Sequence, residues 1–172
     1  HRVKTTNSKV KLIIILRNPI DRAYSHYSSA ISNRKEELSF EDAIKEEENR
    51  VRGEMEKMRD DDDYYSSEIY YRRAYFLQGL YYNDLSRWME IFPYEQFLII
   101  NSEEFFKDPN QNFNKIYEFL ELPQFNHNKN VHFNLGEYFP MKDETRQFLI
   151  EYYKPHNEQL YKLIGKSFDW DK

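Results

Sequence analysis

At 172 residues the chain is long enough for one domain with a buried core. Its 40% hydrophobic and 17% aromatic content excludes an intrinsically disordered chain, and a net charge of −5 argues against a general nucleic-acid binder while leaving room for a local basic pocket. With no cysteine, disulfides and thiolate metal sites are excluded, and a reducing, cytoplasmic setting is expected, with membrane association left open.

There is no Asn-x-Ser/Thr sequon, and the longest apolar run, Leu12–Leu16, falls far short of the ~20 residues that span a bilayer. His1-Arg2-Val3-Lys4-Thr5-Thr6 is neither a signal peptide nor an initiator segment, and reads as a chain beginning in mid-sequence. Lys11-Leu12-Ile13-Ile14-Ile15-Leu16 is a continuous β-branched run and predicts a strand buried on both faces of a parallel sheet. It stops at Arg17-Asn18-Pro19, where Asn18 suits a helix cap and Pro19 the first helical position, whose N–H would be unpaired anyway. Tyr24, Tyr27 and Ile31 recur at helical spacing and predict a helix over about Pro19–Ser32.

Ser39 opens a second helix, with Glu41 and Asp42 in the first turn where they complement its dipole. Phe40, Ile44, Val51, Met55 and Met58 form its apolar stripe, broken by Gly53, and Asp60–Asp63 ends it as an exposed loop. A third helix is expected over roughly Tyr71–Ile91, ending before Pro93, and Gln96–Asn101 reads as a second buried strand. Ser102 is a candidate cap, Asp108-Pro109 starts another helix, and Phe113, Ile116, Tyr117 and Leu120 share one of its faces. Gln124–Pro140 reads as irregular; Asp143–Ile164 reads as an amphipathic helix or pair, interrupted at Pro155 and closed by Gly165. Strands alternating with helices imply an α/β layered fold, and with no repeat or linker the whole chain, 1–172, reads as one domain.

Chemistry concentrates where the first strand meets the first helix. Ligands of open α/β sheets sit outside the carboxyl ends of the strands, and helix N-termini there favour anions. Arg17 falls at that end, with a planar fork of donors matched to phosphate oxygens. Ser25 lies seven residues beyond Asn18, about 10 Å along a helix. Spacing therefore favours a phosphate along the helix flank, between Arg17 and Ser25, over one seated on the helix end. Spacing equally allows a plain structural arrangement in which Arg17 pairs with Asp21 and Ser25 faces solvent.

The run Leu16-Arg17-Asn18-Pro19-Ile20-Asp21-Arg22-Ala23-Tyr24-Ser25-His26-Tyr27 closely resembles the 3′-phosphate-binding motif of sulfotransferases that use 3′-phosphoadenosine 5′-phosphosulfate (PAPS), nearest to the branch of heparan sulfate sulfotransferases and their bacterial relatives. Three further stretches are similar in the same order. They are Gly79–Trp88, like the family's Gly-x-Tyr helix ending in Arg-Trp; Phe97–Phe105, like its later strand and acidic turn; and Tyr152–Leu160 with Phe168-Asp169-Trp170, like its closing helix and terminal aromatic. The resemblance implies a three-layer P-loop-like α/β fold with a central parallel sheet and a helix-rich C-terminal part. It implies sulfuryl transfer from PAPS to a hydroxyl or amine of a glycan, lipid or small molecule, leaving adenosine 3′,5′-bisphosphate and needing no metal. Arg17 and Ser25 would hold the 3′-phosphate, and Tyr81, at the Gly-x-Tyr position, would contact the acceptor or adenine ring.

The chain departs from the family pattern in two places. Only sixteen residues precede Arg17, so the loop that cradles the 5′-phosphosulfate is missing; Lys4-Thr5-Thr6 imitates its composition but lacks the glycine. The general-base carboxylate of this branch also lies upstream, so no catalytic residue is expected within the chain. It would be the C-terminal two-thirds of a domain whose N-terminal strand–loop–helix belongs to a missing fragment, or else a non-catalytic truncated or split domain that binds nucleotide or a partner chain. In the later loop, Leu135-Gly136-Glu137-Tyr138-Phe139-Pro140 has lost the family's basic residues. Gly136 and Tyr138 remain as backbone and stacking contacts to the nucleotide, with Lys129, Lys142 or Arg73 as other sources of positive charge.

Other clusters have plainer readings. Asp60–Asp63 lack the alternating spacing and glycine of a calcium loop and read as solvated. His127 and His132 lie five apart without an acidic neighbour, which argues against zinc; His132 is the one histidine worth testing at an acceptor site. His26 reads as a surface or packing residue, and Tyr70, Tyr71, Tyr75 and Tyr82 as packing around the third helix.

Overall fold

A computed structural model describes residues 2–60, 66–125 and 140–170. In chain order these form α1 (Arg2–Thr6), β1 (Leu12–Leu16), α2 (Pro19–Ser32), α3 (Phe40–Arg50), α4 (Glu54–Asp60), α5 (Glu68–Arg73), α6 (Tyr81–Ile91), β2 (Phe97–Asn101), α7 (Ser102–Lys107), α8 (Pro109–Leu120) and α9 (Asp143–Ile164), with 3-10 turns at Leu77–Gly79 and Tyr94–Gln96. The fold is α/β with a parallel sheet, as the sequence implied: β1 pairs β2 in the register Leu12↔Phe97 to Leu16↔Asn101. A parallel pair needs a long crossover, and here residues 17–96 supply it. Asp61–Asp63 and the segment 126–139 lie outside the described residues.

The chain forms two compact units. Among the described residues, the first comprises 2–18, 81–125 and 156–170. Its core gathers Leu16, Leu85, Phe92, Phe97, Ile99, Leu160, Ile164, Phe168 and Trp170 beside the sheet. Phe168 and Trp170 lie 4.7 Å apart between ring centroids, so the closing aromatics are structural. Burial of β1 differs from expectation: Leu16 is buried, but Ile13 and Ile15 are 37% and 54% exposed. Residues along a strand alternate between faces, and the face carrying Ile13 and Ile15 is not the one on this core.

Among the described residues, the second unit comprises 19–60, 66–80 and 140–155. Ile20, Ala23, Phe40, Ala43, Tyr75, Phe76, Leu149 and Tyr153 form its core. Helix α3 starts as expected, with the Ser39 hydroxyl accepting from the Asp42 N–H at 3.2 Å; Gly53, at φ +77°, separates it from α4. The helix expected over 71–91 is instead α5, a 3-10 turn and α6. The cause is Glu47, a fully buried carboxylate from α3, which accepts from Phe76 N–H at 3.0 Å and Leu77 N–H at 2.8 Å. Those donors are thereby withdrawn from a helical ladder. Burial pushes the Glu47 carboxyl up to about 7 despite these bonds.

Gly79 completes that turn. A Cβ there would stand 2.7 Å from the Tyr153 hydroxyl and 2.8 Å from the Pro19 Cβ. Tyr153 cannot swing aside cheaply, because its hydroxyl donates to the Phe76 carbonyl at 2.6 Å. Gly79→Ala is expected to destabilise by about 1–3 kcal/mol through overpacking, read as a lower melting temperature; an unchanged melting temperature would contradict this packing. Helix α9 differs from expectation in running unbroken through Pro155. Pro155 is exposed and removes one ladder donor, which nine residues of helix beyond it outlast. Gly165 adopts φ +67° just past its end, as foreseen.

Candidate functional site

Arg17 follows the last residue of β1 and stands two residues before the start of α2. Its side chain is exposed, and among the described residues it takes part in no ion pair. Asp21, the carboxylate nearest in sequence, is instead paired with Arg146.

The backbone beside Arg17 is held from several sides within the first unit. The Tyr81 hydroxyl, at the start of α6, donates to the Arg17 carbonyl at 3.0 Å. The Asn18 N–H donates to Glu103 Oε1 at 2.8 Å, and the Asn18 side-chain amide donates to the Trp170 carbonyl at 3.4 Å. The indole N–H of Trp170 reaches the other Glu103 oxygen at 3.4 Å, and its ring lies 6.0 Å from that of Tyr81. Glu103 can do this because β2 ends at Asn101, whose side chain caps α7 by accepting from the Glu104 N–H at 2.8 Å. Asn101, rather than Ser102, is that cap; it brings Glu103 into the first turn.

Ser25 lies on α2 in the second unit and is half-buried. Around it, Arg22 bonds to Gln78 and His26 stands edge-on to Tyr75 at 5.0 Å. Burial, aided by Arg22, lowers the His26 pKa, and its Nδ1 has no partner among the described residues. Tyr75 is fully buried, with its hydroxyl 2.8 Å from Glu36, which bears out the packing reading for that tyrosine.

Two of the alternative cations are already engaged: Arg73 pairs with Glu36 at 2.8 Å, and Lys142 with Glu41 at 3.3 Å. His127, Lys129, His132, Gly136 and Tyr138 lie outside the described residues. Glu103 and Trp170 both fall in stretches that carry the family resemblance, but no sequence signal marks either as a site residue by itself. Their positions in an acidic turn and at a terminal aromatic were readable; their meeting at Asn18 was not.

Residues 2–172 match the family described as the sulfotransferase domain. Over 194 residues the chain is 26% identical to heparan sulfate glucosamine 3-O-sulfotransferase 3B1 of Mus musculus, covering 99% of this chain and 46% of that protein. It is 31% identical over 93 residues to the membrane-associated sulfotransferase kil1 of Dictyostelium discoideum, covering 54% of this chain and 20% of that protein. The chain thus spans about half the length, or less, of these curated relatives. Among solved structures, a sulfotransferase from Alicyclobacillus acidocaldarius superposes with a TM-score of 0.76 at 28% identity, over 99% of this chain and 61% of that one. Among the described residues no helix is long and apolar enough to cross a membrane. The match along nearly the whole sequence, joined to the fold it shares with a solved sulfotransferase, places this chain in the PAPS-dependent sulfotransferase family.

Proposed function

We propose that this chain carries the part of a sulfotransferase that grips the 3′-phosphate of PAPS, in an enzyme that moves a sulfuryl group to an acceptor hydroxyl or amine and leaves adenosine 3′,5′-bisphosphate. The observation that carries the reading is Arg17, an exposed guanidinium with no ion pair among the described residues, at the carboxyl end of a parallel strand and just before a helix. That location suits anions, and a planar fork of donors fits a phosphate better than a lone ammonium would. Ser25 would add a hydroxyl to the same phosphate. Gly136 and Tyr138 would contact the nucleotide, and Tyr81 and His132 the acceptor.

PAPS brings an activated sulfuryl group whose departure leaves a phosphate; the residues here bind and orient the nucleotide rather than move protons at sulfur. The 3-O-sulfotransferases of heparan sulfate glucosamine among the relatives favour a glycan hydroxyl within the acceptor class. Calorimetry on the full-length protein tests the reading: adenosine 3′,5′-bisphosphate should bind about 1000-fold more tightly than adenosine 5′-monophosphate, from charge-assisted bonds worth about 1.5–3 kcal/mol each. Equal affinities would overturn it. Preferential binding without sulfuryl transfer to any glycan, lipid or small alcohol would favour the non-catalytic form of the domain.

A further inference from the structure

The two strongest bonds beside Arg17 act on a single group. The carbonyl of Arg17 and the N–H of Asn18 belong to one peptide plane. Tyr81 holds its oxygen at 3.0 Å, and Glu103 holds its hydrogen at 2.8 Å. We propose that Tyr81, Glu103 and Trp170 form a peptide clamp whose task is to aim Arg17 at the nucleotide's 3′-phosphate; this rests on the reading of Arg17 given above.

The physics is local. A peptide plane bonded at only one pole can rock about the two flanking bonds, ψ of Arg17 and φ of Asn18, because these are the soft dihedrals of the chain. Bonding at both poles, from α6 on one side and α7 on the other, removes that freedom. The Cα of Arg17 then launches its side chain in one direction. A long, exposed arginine with no ion pair among the described residues to steady it gains most from such a fixed base, since affinity improves when ordering precedes binding.

Trp170 sharpens the clamp through Glu103. The two carboxylate oxygens serve different donors, Asn18 N–H at 2.8 Å and Trp170 Nε1–H at 3.4 Å. An ionised carboxylate accepts at both oxygens, whereas an amide accepts at one and donates at the other. Glu103→Gln therefore sets a donor against a donor at one end while hardly changing shape. Tyr81→Phe is gentler: it deletes the bond to Arg17 and keeps the ring packed near Trp170.

The test is the ratio of affinities for adenosine 3′,5′-bisphosphate and adenosine 5′-monophosphate, measured by calorimetry on full-length wild type, Tyr81→Phe, Glu103→Gln and Arg17→Ala. A clamp predicts that the ratio falls by about 3- to 10-fold in Tyr81→Phe and about 10-fold or more in Glu103→Gln, short of the loss in Arg17→Ala. Equal weakening of both ligands would reveal general structural damage and overturn the inference. So would an unchanged ratio in the clamp variants when Arg17→Ala collapses it. If Arg17→Ala itself leaves the ratio intact, the phosphate reading fails and the clamp has no task. Should Glu103→Gln fold poorly, Tyr81→Phe alone decides.

Discussion

Replacing Arg17 with alanine is expected to weaken binding of adenosine 3′,5′-bisphosphate by about 100- to 1000-fold while leaving adenosine 5′-monophosphate within about twofold. A guanidinium engages a phosphate through paired charge-assisted bonds, each worth about 1.5–3 kcal/mol, and each 1.4 kcal/mol is about tenfold in affinity. The monophosphate lacks the 3′-group, so it reports every contact except this one. Arg17→Lys should fall between, because a point charge survives but the fork does not. Calorimetry with both nucleotides is the measurement, and parallel losses for the two would remove Arg17 from the 3′-phosphate. Because the side chain is exposed and without an ion pair among the described residues, the melting temperature should scarcely move. Fold damage therefore cannot mimic the effect.

The largest effect on stability is expected at Glu36. This carboxylate is 5% exposed and stands 2.6 Å from Arg50, 2.8 Å from Arg73 and 2.8 Å from the Tyr75 hydroxyl. Its other oxygen accepts backbone N–H groups from Glu37 and Leu38 at 3.0 and 3.1 Å. Removing one partner of a buried ion pair costs about 3–5 kcal/mol, because the remaining charge is left uncompensated; here two guanidiniums would be left facing each other. Glu36→Ala should therefore lower the melting temperature by on the order of 10 °C, and a shift under a few degrees would refute the account.

The same group carries a pH signature. Burial alone would raise its pKa, but Arg50, the Leu38 N–H, the Tyr75 hydroxyl and the Glu37 N–H together bring it down to about 2, from 4.5. A carboxyl depressed on folding adds stability above its unfolded pKa and loses it as pH falls through the folded one. The stability gap between wild type and Glu36→Gln should thus narrow by about 3 kcal/mol from pH 5 to pH 2. Glu47, lifted to about 7, acts in the opposite sense, adding stability below 4.5 that fades as pH rises through 7. It is common to both proteins and cancels in the comparison.

How far each feature could be read depends on the distance over which its cause acts. β1, the whole of α2, the caps Ser39 and Asp108, and the left-handed Gly165 were legible, since each follows from neighbours within a turn or two. So was Arg17 as a cation at a strand's end. The break in the third helix was not, because the carboxylate that takes the Phe76 and Leu77 donors sits 29 and 30 residues upstream. Nor was the exposed face of β1, whose hydrophobic run looks the same whether one side or both are covered. At the candidate site, chain-local chemistry supplied the guanidinium and the helix that follows it. The bonds that orient its backbone come from Tyr81, 64 residues on, and Glu103, 85 residues on from Asn18. No local pattern encodes such meetings; they arise when a parallel crossover brings distant segments to one strand end, and hydrogen-bond satisfaction then selects the partners.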